Sequence, residues 1–320
     1  MARFNIRLLI LGFAVALGLF FGMKWYNSTK HDKTFKTALV RIDSAGVSKI
    51  QIYPVKAGHA EITLLREGDD WSVTKEGRKA EADQGAVKNV IHELMRLKPQ
   101  RLAGKGREKW DEYEVSDSLG TRVKVFEGGK STADVIVGKF SFKQNPGQQG
   151  FRQDNVSMFS YVRLSGEDET YVVEGFLNMT FNQDMDGWRN KTVTKCNRED
   201  ITEIAFHYPA DSGFTAVLRD SVWMIGAEVV PENKIGAYFG KLTNTMNSNF
   251  DDAFAGQGRA PVYSITIRGN NMSDIAIRAF AGDDGQQFTV HSSQNPEAYF
   301  TADRETLVDR LFVGRGAFRI

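Results

Sequence analysis

The sequence predicts an α+β chain: an N-terminal transmembrane helix followed by two tandem related α+β units with mainly antiparallel sheets. Three observations predict it. An uncharged apolar run near the start is bracketed by basic residues. A strand-turn-strand-helix pattern occurs twice. Each occurrence continues into segments of alternating apolar and polar residues. Strands grouped around one helix, rather than strand and helix in strict alternation, point to antiparallel sheets.

Residues 1–29 read as a membrane anchor. The run from Leu8 to Met23 has sixteen residues and no charge. As a helix it is about 24 Å long, short of a hydrocarbon core of roughly 30 Å. Ile6 on one side and Trp25 and Tyr26 on the other close the gap. Arg7 and Lys24 can snorkel outward, and the Trp-Tyr pair suits the interfacial aromatic belt. A cleaved signal peptide is the rival reading. It wants small residues just after the apolar run, where Phe20, Phe21, Met23, Lys24, Trp25 and Tyr26 stand. An uncleaved anchor is preferred, and both readings target the membrane system. A seven-residue basic tail ahead of a long folded region is the layout of a signal anchor. The expectation is therefore a single-pass protein of the inner (cytoplasmic) membrane, with its bulk facing the periplasm.

Residues 30–37 are polar and read as a spacer, after which the repeat begins. Residues 39–54 align with 193–209: Asp43 with Asn197, Val47 with Ile201 and Ile50 with Ile204, all at an offset of 154. Next come 62–71 and 214–223, which end on Trp71 and Trp223 and carry Arg66 and Arg219. These four residues mark the repeat, and each tryptophan is read as a core aromatic closing a strand. Helices are expected over 83–97 and 231–246. The first carries Val87, Val90, Ile91, Leu94 and Leu97 on one stripe. The second carries Ile235, Tyr238, Phe239, Leu242 and Met246, with Pro231 in its first turn. Strands follow at 121–127, 133–137, 161–164 and 169–174 in the first copy. Those of the second copy fall at 262–268, 275–280, 288–291 and 298–301. Gly128-Gly129, Gly269-Asn270 and Asp283-Asp284-Gly285 supply turns. The boundaries expected are 38–177 for the first unit, 178–192 for a linker and 193–320 for the second unit. A Gly-, Gln- and Asn-rich insertion at 139–158 has no counterpart in the second copy.

Charge narrows the function. The chain has 41 Lys and Arg against 40 Asp and Glu. Setting aside Arg3, Arg7 and Lys24 leaves 38 basic residues against 40 acidic, a balanced body with a formal charge of −2. A nucleic-acid binder needs a basic surface that this balance does not supply. One cysteine, Cys196, excludes an internal disulfide and reads as a small hydrophobe. The five histidines form no zinc spacing. Gly104-Lys105-Gly106 lacks the rest of a phosphate loop, and no nucleophile elbow occurs. Asn182, Asp184, Asp186 and Gly187 echo a calcium loop, but Val193 stands where the bidentate Glu belongs. They are read as an Asx-rich turn, so no metal, cofactor or catalytic residue is assigned.

Several motifs resemble the bacterial domain of unknown function family numbered 4340. They are the Arg-Trp hairpin opening, Tyr113-Glu114-Val115, the stretch 121–127, Gly138 after a strand, and Trp188-Arg189-Asn190-Lys191-Thr192. The resemblance covers about residues 38–310. One detail departs, because the family shows Tyr-Gly-Leu at positions 113–115. The resemblance implies a membrane-anchored protein outside the cytoplasm, in the company of gliding-type ABC transporter components. The function expected is a non-enzymatic interaction module, an accessory or adaptor of an ABC transporter or envelope assembly with an integral membrane protein partner. The alternative is a small-molecule or glycan-binding protein using a groove between the copies, with Phe140, Phe142, Phe151 and Phe159 as a possible binding loop. An enzyme has only isolated carboxylates such as Asp184 and Asp186 as handles.

Overall fold

The computed structural model describes residues 17–18, 36–144, 156–210, 212–254, 256, 258–282 and 285–319. Apart from Leu17 and Gly18, which are helical, the expected anchor lies outside the described residues, as do most of the spacer and Phe151. Among the described residues no helix is long and apolar enough to cross a membrane.

The first sheet draws on β1 (Val47–Tyr53), β2 (Ile62–Glu67), β3 (Asp70–Lys75), β4 (Arg78–Glu81), β5 (Pro99–Gly104), β6 (Thr121–Glu127), β7 (Lys130–Gln144), β8 (Val156–Leu164) and β9 (Thr170–Glu174). Its order is β4-β3-β2-β1-β6-β7-β8-β9-β5. Helix α1 (Gln84–Met95) lies between β4 and β5 in sequence, and short helices α2 (Leu177–Phe181) and α3 (Met185–Trp188) follow β9. β10 (Thr192–Lys195) pairs with β15 (Asn244–Met246). The remaining strands are β11 (Ile201–His207), β12 (Phe214–Arg219), β13 (Val222–Ile225), β14 (Glu228–Val229), β16 (Tyr263–Gly269), β17 (Ile275–Ala281), β18 (Gln287–Ser292) and β19 (Asn295–Asp303). They form an eight-stranded sheet in the order β14-β13-β12-β11-β16-β17-β18-β19. Helix α4 (Glu232–Leu242) precedes β15, and α5 (Asp309–Leu311) lies near the end. The fold is α+β, rich in β and antiparallel in its recorded strand pairs.

Local chemistry explains the hairpins. Two residues join β2 to β3, β6 to β7 and β12 to β13. The joining residues include Gly68 (φ 68°), Gly128 and Gly129 (53° and 84°), and Asp220 and Ser221 (46° and 67°). Left-handed φ in a two-residue loop matches the twist of the strands it joins. These turns move the tryptophans from where the sequence reading put them. Trp71 and Trp223 do not close a strand. Each is the second residue of the strand that follows its turn.

Helix α1 is preceded by Asp83, whose Oδ1 accepts a hydrogen bond from the Ala86 amide at 3.0 Å. Val87, Val90, Ile91, Leu94 and Leu97 are all buried, as one apolar stripe requires. In α4 the stripe ends at Leu242. Met246 is not its continuation: it lies in β15 and is 56% exposed. Thr243 and Thr245 return their hydroxyls to the carbonyls of Phe239 (2.9 Å) and Lys241 (2.5 Å), and the chain leaves the helix to pair with β10.

Residues cluster into two compact units. One comprises residues up to Thr63 with Lys88–Gln183, the other Leu64–Val87 with Asp184–Ile320. Within the second, Ile204, Phe206, Ile265, Val290 and Phe300 form a core with the buried face of α4.

Candidate functional site

The first unit carries an unusual surface where β7 outruns its neighbours. Pairing with β6 stops at Val137, and pairing of β8 with β9 stops at Phe159. Phe142–Met158 and Lys143–Ser157 therefore belong to a two-stranded ribbon that stands beyond the sheet. A register shift between Val137 and Phe140 adds one residue to β7 at the ribbon's base. Its cause is visible at Gly138. A Cβ there would meet the Tyr113 carbonyl oxygen at 2.2 Å, and the Lys139 amide donates to that same oxygen at 3.1 Å. The loop holding Tyr113 crosses β7 at this point, and only glycine lets the two backbones approach so closely.

Directly opposed residues in an antiparallel pair share a face. Phe140, Phe142, Met158 and Ser160 share one. At its inner end Ser160 is buried, donating to the Gly175 carbonyl (2.7 Å) and accepting from the Leu177 amide (3.1 Å). Phe140 meets Phe176 edge to face at 5.1 Å. Outward from there the face is open: Phe140 is 43% exposed and Phe142 60%. The other face holds Ser141, Lys143, Phe159 and Tyr161. Phe159 packs edge-on to Tyr161, which stacks on Tyr113 at 4.4 Å. Lys139 Nζ sits 6.0 Å from both tyrosine ring centres. The structure thus brings Phe140 and Phe142 together and puts Phe159 on the opposite side. Met158 and Phe176 join the surface without having been singled out in the sequence. The Phe-Ser-Phe alternation at 140–142 was the available signal, but only register decides what faces it.

A second polar cluster lies at Trp188-Arg189-Asn190-Lys191, in the second unit. The Asp83 amide donates to the Trp188 carbonyl (2.7 Å), and the Asn190 amide to that of Glu81 (2.8 Å). Arg189 is 3% exposed, donates to Asp186 and Asp252 (3.1 Å each), and lies 3.6 Å over the Phe250 ring. Burial pushes its pKa down, and the hydrogen bond to Asp186 opposes that shift. Lys191 donates to the Gly187 carbonyl at 2.7 Å, and burial lowers its pKa as well. Beside this cluster, Lys75, Glu76, Arg78, Asp184, Met185 and Asp186 line a shallow cleft of about 370 Å³.

The carboxylates that echoed a calcium loop have other partners. Asp184 accepts from Lys75 Nζ (2.7 Å) and caps α3 through the Met185 amide (2.6 Å). Asn182 accepts from the Lys56 amide at 2.8 Å. An ammonium already at the Asp184 carboxylate repels a divalent cation, and an Asx cap is the role this geometry serves. Among the described residues no group of three or more His, Cys, Asp or Glu could hold a metal ion. Cys196 is partly buried against the second core, and burial pushes its thiol pKa up, away from nucleophilic use.

The four residues read as repeat markers have different surroundings. The Gln84 side chain clamps Trp71, accepting from its amide (2.9 Å) and donating to its carbonyl (3.0 Å). Trp223 packs edge to face with Phe239 at 5.4 Å. Arg66 donates to the Gly68 carbonyl of its turn, while Arg219 is exposed.

No curated protein and no solved structure matches the chain. A family model does, over residues 71–253, more than half of the chain. The matched span contains Trp71, the Tyr113 loop with Gly138, the ribbon and the buried Arg189 cluster. The chain therefore belongs to the family described as Domain of unknown function (DUF4340).

Proposed function

We propose that this protein is a membrane-anchored, extracytoplasmic, non-enzymatic interaction module, the accessory or adaptor of an ABC transporter or envelope assembly. Its partner is an integral membrane protein. The observation that carries the reading is the ribbon, a two-stranded extension that presents Phe142 to solvent with the half-exposed Phe140 at its base. Apolar surface held in the open marks a contact surface rather than a core. The reading of residues 8–23 as an anchor supports a place at the membrane, and the family resemblance supports a transporter setting. The carboxylates an enzyme would use, Asp184 and Asp186, are engaged by Lys75 and Arg189.

The two sheets are read as tandem related units. Four features support this. Their strand orders run in parallel, β4-β3-β2-β1-β6-β7-β8-β9 and β14-β13-β12-β11-β16-β17-β18-β19. A register shift falls between Val47 and Lys49 in one and between Ile201 and Glu203 in the other. A two-residue turn precedes Trp71 and Trp223. One amphipathic helix follows the fourth strand of each.

Mild crosslinking of native membranes followed by purification tests the function. Recovery of one defined integral membrane protein is expected. Repeated recovery of the monomer alone would refute the adaptor role.

A further inference from the structure

We propose that the open edge of β7 at Phe142 takes an extended segment of the partner protein as an added strand, one that alternates apolar with acidic residues. The proposal deepens the adaptor reading and rests on it. Backbone geometry supplies the edge. Pairing with β6 ends at Val137, and the Lys139 amide is taken by the Tyr113 carbonyl at 3.1 Å. Past that bond no described strand pairs with β7 on this side, although β7 continues to Gln144. The Gly175 amide donates to the Met158 carbonyl at 3.0 Å, so Met158 turns that carbonyl toward β9. Directly opposed residues in an antiparallel pair either bond to each other or both turn away. Phe142, opposite Met158, therefore turns its N–H and C=O away from β8, to the side where β6 has ended. A donor and an acceptor stand there ready to template another strand.

Side chains select what fills the edge. An added strand sets its residues alternately on the two faces of the ribbon. On one face they meet the exposed Phe142 and the half-exposed Phe140, with Met158 behind Phe142. That face takes apolar residues. On the other they meet Lys139, Ser141 and Lys143, with Phe159 and Tyr161 one strand further in. Neither lysine has an ion pair among the described residues, and Glu174, on the same face, belongs to β9, two strands from the edge. That face takes carboxylates, because opposite charges stabilise a cross-strand pair and like charges oppose it. The same rule disfavours a second copy, whose own lysines would line up with these. A two-stranded ribbon is weak in water by itself, and a third strand supplies what β6 leaves off. Strand addition of this kind draws affinity from main-chain hydrogen bonds and specificity from alternate side chains.

The full chain in detergent, titrated with a fluorescein-labelled peptide alternating valine and glutamate, tests this by anisotropy. That peptide should bind about tenfold more tightly than one alternating valine and lysine. Amide hydrogen exchange at 139–144 should slow when it binds. Phe142→Pro removes the outward N–H and spares the ribbon, since proline is tolerated where a strand's N–H faces out. It should weaken binding about tenfold more than Phe142→Val, which keeps the N–H. Unchanged near-ultraviolet dichroism of the Tyr113–Tyr161 pair shows that the variant is folded. Lys143→Glu should abolish the preference for the acidic peptide. Equal binding of the two peptides overturns the proposal, as does a Phe142→Pro variant that binds like Phe142→Val. A disulfide between copies through Ser141→Cys, in a Cys196→Ser background, also overturns it, because a second copy would then cover the edge. In native membranes, p-benzoylphenylalanine in place of Phe142 should crosslink to a partner segment of the stated alternation. If chemical crosslinking recovers a membrane protein that position 142 does not reach, the edge is refuted and the adaptor role stands. Recovery by neither route refutes both.

Discussion

Glu114 holds its backbone at φ 55°, in the left-handed region that side chains with a Cβ enter at a cost. The family's Tyr-Gly-Leu puts glycine here, so the departure from that motif has a physical consequence. Glu114→Gly should raise stability by about 0.5–1 kcal/mol, the relief of strain exceeding the added freedom of the unfolded chain. A urea titration measures it, and an unchanged or lower midpoint would contradict the argument. Gly138 is the converse case. Gly138→Ala drives a Cβ into the Tyr113 carbonyl and should cost about 1–3 kcal/mol or more, with loss of the near-ultraviolet dichroism from the stacked Tyr113–Tyr161 pair. Both glycine positions were legible as motif letters. Their reason was not, because it depends on a loop crossing a strand more than twenty residues away in sequence.

At the scale of elements, the segment from α3 into β10 shows what periodicity misses. Residues 178–192 read as a linker because they have no apolar repeat. Yet Trp188 and Arg189 are almost fully buried. Their partners Asp83, Phe250 and Asp252 come from distant parts of the chain. Arg189→Ala should cost about 2–4 kcal/mol, through lost packing over Phe250 and lost hydrogen bonds to two carboxylates. Arg189→Met keeps most of the volume and should cost less. Equal losses from the two variants, in parallel thermal melts, would show that charge alone matters there. Long amphipathic elements were easier to read. Val87, Val90, Ile91 and Leu94 of α1 follow from the apolar stripe, whereas Leu97 falls just past the helix and β4, β14 and β15 are too short to show alternation.

At the scale of the whole molecule, pH probes how the end of the chain is tied down. Tyr238 Oη donates to the Leu311 carbonyl and Tyr208 Oη to that of Val313, at 2.8 and 2.9 Å. Burial raises the pKa of both hydroxyls, and Tyr53 is pushed up to about 12 by burial and its hydrogen bond to Glu61. A tyrosine whose pKa is raised by folding contributes stability that is fully present below its unfolded pKa of about 10. That stability is lost as pH rises toward the folded value. The urea midpoint should therefore fall above about pH 10. Tyr238→Phe should flatten that fall while costing about 1 kcal/mol at neutral pH. An unaltered slope in the variant would remove Tyr238 from the explanation. Topology is also decided at this scale: the sequence placed most strands, but their order in the two sheets depends on which edges meet.

By itself the sequence determined the α+β class, the principal strands and helices, and the family, because periodicity, turn residues and short motifs are local properties of the chain. It also carried the apolar run on which the anchored reading rests. Tertiary structure alone decided that Trp71 and Trp223 open strands, that Met246 leaves its helix, and that the acidic turn is closed by lysine and arginine. It alone separated Phe140 and Phe142 from Phe159. One residue of register moves a side chain to the other face of a strand, and nothing local to 139–159 reports the Tyr113 loop that sets the register there.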